Sequence, residues 1–404
     1  MDKEHTPSLP TELLVAIFTI LMPRKFNIAQ SCDILSASLV CRQWYTVVCS
    51  IVDVTERIRF LITQFRLYNL EDYGRLYNLL MESHRSGVGY ERLVKSIRIH
   101  AVEISKLDDE NQRLCANHIG SMIRLSPNLT ELRVEVEKMQ PFFSVFLRVN
   151  LSNIRRLFIR QNHVSLAVKL VQSMPFLEEL DLDHTEMTSD LMNVLNTRLT
   201  TLVVRCIDLS QFHRCLVNLS NLRSINIITH MVSYGKLAEA IAKNCPGLQE
   251  FTYTIPLMPV DSRGTDSIAL NHIIDKCKQL VKLNINNVPR ITKKFMFYAM
   301  QNALQLHHLS ISTTLSSVAA DLRMNQSNLQ LLILDVGLSN EELLHILTKC
   351  PHLHTMQFIQ QSPANTNILR NHGFTQCYHG CWKRNHDLNW VSKSHSIPSH
   401  LLPK

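Results

Sequence analysis

Glycine is scarce in this chain, with 10 in 404 residues. No glycine-rich loop of the kind that cradles a phosphate is present, and there is no G-x-S-x-G, H-E-x-x-H or C-x-x-C. These absences predict a protein that is not an enzyme and carries no cofactor. Charge is also sparse, at 19% of residues, with 42 basic against 34 acidic side chains and a net charge of +8. The basic residues form only scattered pairs such as Arg155-Arg156 and Lys293-Lys294. Nucleic-acid binding wants a basic stripe with aromatics between, so nucleic acid is not an expected partner. The longest apolar run, Leu13 to Met22, is too short to cross a bilayer, and no membrane association is expected. The start, Met1-Asp2-Lys3-Glu4-His5, lacks the basic opening of a signal peptide. Eleven cysteines, odd in number and widely scattered, do not make a disulfide framework. A reducing compartment, cytosol or nucleus, is therefore expected.

What the chain does have is apolar residues, 45% of the total, arranged with a period. From Val94 a short pattern keeps returning: apolar, two variable, apolar, one variable, apolar. It reads Val94/Ile97/Ile99, Leu129/Leu132/Val134, Ile154/Leu157/Ile159, Leu177/Leu180/Leu182, Leu199/Leu202/Val204 and Leu222/Ile225/Ile227. It continues as Leu248/Phe251/Tyr253, Leu280/Leu283/Ile285, Leu306/Leu309/Ile311, Leu329/Leu332/Leu334 and Leu353/Met356/Phe358. These are eleven units, with steps of 35, 25, 23, 22, 23, 26, 32, 26, 23 and 24 residues, mostly within the leucine-rich-repeat range. The last two apolar positions of each unit alternate with variable ones, so they share one side of a short strand. Helices such as Leu237–Lys243, Ile268–Cys277 and Glu341–Lys349 would return the chain to the next strand. No unit buries its apolar side alone, but stacked units build one core. The pattern predicts a curved α/β solenoid with parallel inner strands and outer helices.

Ahead of the repeats lie two apolar stretches. Pro10 stands where a helix would begin, which suits its fixed φ and missing N–H. Leu13, Leu14, Ile17, Phe18 and Leu21 then recur at helical spacing, and Pro23 ends the run. A second helix is predicted from about Ile34 to Val48, carrying Trp44. So much apolar surface exceeds what about fifty residues can bury alone, which predicts that part of it meets a partner. The order L-P-x-E-L-L-x-x-I-F-x-x-L, followed by L-V-C-x-x-W, resembles the F-box motif over residues 8–49. Between Leu21 and Val40 the chain runs several residues longer than the usual family spacing, over Lys25 to Asp33. The resemblance implies docking on a Skp-family adaptor through Leu9, Pro10, Leu13, Leu14, Ile17, Phe18, Leu21, Leu39, Val40, Cys41 and Trp44, either directly or by packing the helices that present the contact.

Cys245, Cys277 and Cys350 each lie three residues before the first apolar position of a unit, and Asn244-Cys245-Pro246 and Lys349-Cys350-Pro351 are near copies. A row of metal-binding thiols would need ligands converging on one site. The simpler reading is a small buried residue at each helix end, with proline preventing continuation. This usage resembles the cysteine-containing class of leucine-rich repeats, over residues 93–360.

The resulting layout is an F-box at 1–50, a helical linker at 51–92, repeats at 93–360, and a cap or partly disordered tail at 361–404. A connecting helix is predicted near Leu67 to Met81, broken by Ser86-Gly87-Val88-Gly89. The first long step holds Asp108-Asp109-Glu110 and a longer helix. The second holds Pro256, Pro259, Asp261, Arg263 and Gly264, and reads as a protruding loop. In the tail, His372, Cys377, His379, Cys381 and His386 read either as zinc ligands or as part of a cap.

Variable strand positions face away from the helices, and neighbouring strands stand about 4.8 Å apart. Arg133 and Glu135, Phe158 and Arg160, Asp181 and Asp183, and Arg205 are the candidate substrate-binding residues. Glu135, Arg160, Asp183 and Arg205 form a row of alternating sign, which reads either as a grip on a substrate or as a self-paired ladder. Further along, Thr254, Asn286 and Ser312 make it neutral. The F-box resemblance implies the substrate-receptor subunit of an SCF-type ubiquitin ligase, joined to cullin through the adaptor and presenting a bound protein substrate. A repeat scaffold acting outside ubiquitin ligation is the alternative.

Overall fold

In a computed structural model of the chain, the described residues are 10–21, 35–40, 44, 46–48, 70–100, 107–135, 144–160, 164–183, 187–206, 212–229, 235–256, 268–288, 291–312, 325–334, 338–358, 363–378 and 380–384. They form two compact units, 1–194 and 195–404. The chain is a mixed α/β protein: a small helical region, then strands alternating with helices in a leucine-rich-repeat-like manner.

The first unit begins with α1 (Thr11–Leu21). The Pro10 carbonyl accepts from the N–H groups of Leu13 and Leu14, both at 3.1 Å, so Pro10 sits just outside the helix and closes its first turn. Pro23 lies outside the described residues. The expected second helix differs from expectation: residues 35–38 are helical, Leu39 turns, Val40 bends, and helix resumes at Trp44 and 46–48. The N–H of Leu39 reaches the Ser36 carbonyl and that of Val40 the Ala37 carbonyl. These i to i−3 bonds tighten and end the first piece. The Ser38 hydroxyl also donates to the Leu35 carbonyl, which lets the side chain compete for the helix's own acceptor.

Next comes α2 (Leu70–Ser86), which runs beyond the expected Met81. Gly87 and Gly89 have φ of 73° and 86°; that left-handed backbone favours glycine and turns the chain out of the helix. The corner is stitched by Ser83, whose hydroxyl donates to buried Glu91 at 3.1 Å and accepts from the Tyr90 N–H at 2.7 Å. Strand β1 (Ser96–His100), helix α3 (Asp109–Leu125), strands β2 (Glu131–Glu135) and β3 (Arg156–Arg160), helix α4 (Val164–Gln172), strand β4 (Glu179–Asp183) and helix α5 (Ser189–Val194) complete the unit. Asp108, from the acidic patch, caps α3 by accepting from the Asn111 N–H at 2.8 Å.

β1 to β4 pair in parallel without a register shift, so Ile97, Leu132, Leu157 and Leu180 stand side by side, as do Ile99, Val134, Ile159 and Leu182. All eight are buried. These rows are the second and third apolar positions of the repeat, and period two puts the residues between them on the opposite face.

The second unit repeats this plan. It contains β5 (Thr201–Cys206), α6 (Phe212–Cys215), β6 (Ser224–Thr229), α7 (Gly235–Asn244), β7 (Glu250–Thr254), α8 (Ile268–Lys276), β8 (Lys282–Asn286), α9 (Lys293–Asn302), β9 (His308–Ser312), β10 (Leu331–Leu334), α10 (Asn340–Lys349) and β11 (Thr355–Phe358). The strands pair in parallel in chain order from β5 to β11. After α11 (Pro363–Asn371) the pattern changes: β12 (Phe374–Tyr378) and β13 (Cys381–Arg384) form an antiparallel pair, with β13 antiparallel to β11. Pro259, Asp261, Arg263 and Gly264 of the expected loop lie outside the described residues, as do His379 and His386.

Between units of the repeat, asparagine acts as a staple that sequence reading missed. Asn128, Asn153, Asn221 and Asn328 each directly precede a first apolar position, and each donates its amide to a carbonyl of the preceding turn (Arg92, Pro127, Thr197 and Leu304) at 2.6–3.2 Å. The signal was the recurrent Asn-Leu or Asn-Ile step. Cysteines hold the helix ends. The N–H groups of Cys245, Cys277 and Cys350 bond to Ile241, Ile273 and Ile346 at 2.8–2.9 Å. The thiols of Cys245 and Cys277 donate to the Leu219 and Cys245 carbonyls at 3.5 and 3.4 Å. Burial pushes all three thiols up to about 12, so they stay protonated and apolar. Brief iodoacetamide treatment of the native protein is expected to spare Cys245, Cys277 and Cys350 while alkylating exposed Cys377; peptide mass mapping reads the difference, and equal labelling would contradict the buried assignment.

A tertiary contact ties the second unit across the sequence. Ser339 and Glu342 form a capping box at the start of α10, and Lys293 at the start of α9 reaches Glu342 at 2.7 Å. Burial pushes Glu342 up, but the Lys293 ammonium and the Ser339 N–H and hydroxyl outweigh it, and the net shift is downward. A carboxylate with a lowered folded pKa contributes stability above its unfolded value, near pH 4.5, and loses that contribution as pH falls through the folded value. Glu342→Gln is therefore expected to lower stability at pH 7 by about 1–2 kcal/mol, and the gap to wild type should shrink in melts run progressively below about pH 4.5.

Candidate functional site

Two surfaces are built from the residues that the sequence singles out. The first is on α1. Leu14 is fully buried, whereas Leu13 is 47% exposed and Ile17 36% exposed. At 100° per residue Leu13 and Ile17 share one stripe, and Leu14 is turned away from it toward the interior. Val40, at the bend, is 65% exposed. Leu39 and Trp44 are partly buried and Pro10 is exposed. Phe18 and Leu21 lie on α1 with their side chains outside the described set, and Leu9 and Cys41 lie outside the described residues. Leu35, Val47 and Val48 are buried, and the hydroxyls of Ser38 and Tyr90 share a buried hydrogen bond at 2.6 Å. Within this helical region some apolar side chains are thus packed on their own chain, while Leu13, Ile17 and Val40 are exposed.

Residues 6–59 match the F-box-like family model. F-box domains in general are protein-interaction modules that bind Skp-type adaptors. No curated protein sequence matches the chain. Among solved structures, the crystal structure of a TLR13–ssRNA13 complex is 13% identical with a TM-score of 0.37, over 61% of this chain and 36% of that one. The chain thus spans little more than a third of that neighbour's length.

The second surface is the strand face opposite the helices. In the first unit Glu135, Arg160 and Asp183 are register neighbours, as are Arg133, Phe158 and Asp181. The ion pairs differ from a simple row. Glu135 binds Arg98 of β1 at 2.6 Å, Arg160 reaches Asp183 at 3.5 Å, and Glu131 takes both Arg133 at 2.6 Å and Arg156 at 2.8 Å. Arg98, Glu131 and Arg156 were missed by the sequence reading. The signal was available: period two also aims the first residues of β2 and β3, Glu131 and Arg156, and the middle residue of β1, Arg98, at this face. Flanking these, Arg155 pairs with Glu178.

In the second unit, where Arg205 lies on β5, the same face is amide- and hydroxyl-rich. Asn284 donates to Thr252 at 3.3 Å and Asn286 to Thr254 at 3.1 Å. His308 is pushed down to about 4 by burial and by nearby Lys282, so it is neutral at pH 7. Among the described residues no group of three histidine, cysteine or acidic side chains is placed to hold a metal ion, and no helix is long and apolar enough to cross a membrane. In the tail, Cys381 is buried in the β12–β13 hairpin, Cys377 is exposed, and His372 bonds the Ile368 carbonyl through Nδ1.

Proposed function

We propose that the protein is the substrate-recognition subunit of an SCF-type ubiquitin ligase. Its F-box-like region docks on a Skp-family adaptor, the adaptor links it to cullin, and the strand face of the repeats holds a protein substrate. The observation that carries this reading is the pair of aliphatic side chains Leu13 and Ile17, which α1 leaves partly in solvent while Leu14 is buried, together with exposed Val40. Stripes of this kind on a polar-rimmed surface are where partners bind. The role is positional: a held substrate meets the ubiquitin-charged enzyme at high effective concentration, and no side chain of this chain takes part in the bond-forming step. The pathway assigns it to cytosol or nucleus.

Affinity purification of the tagged full-length chain tests this. Recovery of both a Skp-family adaptor and a cullin in stoichiometric amounts is expected. Absence of both, with the chain folded, would overturn the assignment, and adaptor without cullin would favour a repeat scaffold acting outside ubiquitin ligation.

A further inference from the structure

We infer that the strand face of β2 and β3 receives a short acidic peptide segment, with an apolar side chain of that segment seated on Phe158. The inference deepens the substrate-receptor reading and rests on it for the segment's biological source. Phe158 is half-buried at the centre of this face. Arg156 and Arg160 lie two residues to either side on the same strand, so all three side chains share one face. Arg133 is its register neighbour on β2, with the guanidinium carbon 6.0 Å from the ring centroid. The ring is therefore framed by three guanidiniums.

The depth of the charges decides what this frame offers. The side chains of Arg133, Arg156 and Arg160 are 47%, 51% and 56% exposed, while those of Glu131 and Glu135 are 11% and 8% exposed. The carboxylates are sunk and the guanidiniums stand above them. Glu131 also serves two arginines at once, which leaves one positive charge over among these three side chains, with Glu179 of β4 the register neighbour of Arg156. Each guanidinium carries five N–H donors in a fixed fork, more than a shared carboxylate can accept. A second carboxylate arriving from solvent would complete a two-by-two arrangement of Arg133 and Arg156, and charge-assisted bonds of this kind are the strong ones.

The neighbouring strand sets the length and favours peptide over nucleic acid. On β4 the same face carries Glu179, Asp181 and Asp183. A long polyanion continuing across the sheet would meet them. A short acidic stretch over β2 and β3, followed by neutral or basic residues over β4, would not.

The test uses the full-length protein and a displayed library of random dodecapeptides. Selected peptides are expected to carry Asp or Glu beside one large apolar residue. Their affinity should fall about tenfold or more in Arg133→Gln, Arg156→Gln and Phe158→Ala, and again on raising salt from about 0.05 M to about 0.5 M. Either arginine can be removed singly without stranding Glu131, because the other remains paired to it, so these variants are expected to fold. Selection of neutral or basic peptides, selection of none, peptides indifferent to all three variants, or tighter binding of a single-stranded RNA dodecamer through the same arginines would each overturn the inference. Peptide binding does not involve the adaptor, so this result stands apart from the cullin purification.

Discussion

Leu13→Asp and Ile17→Asp are each expected to cost the adaptor complex about 2 kcal/mol or more, close to a thirtyfold weakening, with little effect on the melting temperature of the free chain. Both side chains are partly exposed on one stripe of α1, so a carboxylate there reaches water in the unbound protein and costs the fold little beyond its helix propensity. In the complex the same carboxylate would be enclosed against apolar partner surface, and an unpaired buried charge is strongly unfavourable. Leu14→Ala should behave in the opposite way. Leu14 is fully buried, so its truncation leaves a cavity and is expected to destabilise the fold by about 2–5 kcal/mol. Adaptor binding would then be lost only to the extent that the first unit unfolds. Calorimetric titration with purified adaptor, beside thermal melts of the three variants, separates the two effects. Adaptor affinities for Leu13→Asp and Ile17→Asp within twofold of wild type would remove this stripe from the interface.

The contrast between Leu13 and Leu14 also marks where the sequence stops being readable. Helical spacing put both on one broad apolar face, because hydrophobicity alone cannot tell a side chain waiting for a partner from one already covered. The strand rows were far more legible. An apolar pattern of fixed spacing repeated through the chain admits one register, since a one-residue slip would turn Leu157 and Ile159 into solvent and Phe158 inward. The helix ends at Cys245 and Cys350 were legible from Cys-Pro. The break at Leu39–Val40 was not, because it depends on Ser38 bonding backward to Leu35, a local competition invisible to periodicity. The electrostatic pairing was half legible: alternation along one row was evident, but the strongest contacts run diagonally to Arg98 and along a strand from Glu131 to Arg133. The β12–β13 hairpin was hidden because Thr375 to Tyr378 are all exposed, so an edge strand there shows no alternation.

That hairpin carries the other large expected effect. Trp382→Ala is expected to destabilise the second unit by about 3–5 kcal/mol and to open the edge of its sheet. Trp382 is fully buried and lies opposite Met356, on a strand paired antiparallel to β11. Around it the fit is tight. Gly380, at φ 79°, accepts from the Phe358 N–H at 2.8 Å, and a Cβ at that glycine would overlap the Phe358 carbonyl oxygen. Arg384 donates to the Pro351 carbonyl at 2.6 Å and lies 5.1 Å from the Phe374 ring centroid. Parallel strands joined only by repeats end in a bare row of N–H and C=O groups, an edge prone to pairing with other chains. Here β13 covers the edge of β11, and β12 ends in a bulge between Gln376 and Tyr378 that spoils further pairing. Removing the indole takes away the largest apolar group holding this cover in place. Amide exchange at Phe358 should then quicken by about a hundredfold or more, and the protein should associate as concentration rises. Gly380→Ala tests the same cover through the backbone and should move exchange in the same direction. Unchanged Phe358 exchange and a monodisperse Trp382→Ala protein would mean that the repeats close their own edge without the hairpin.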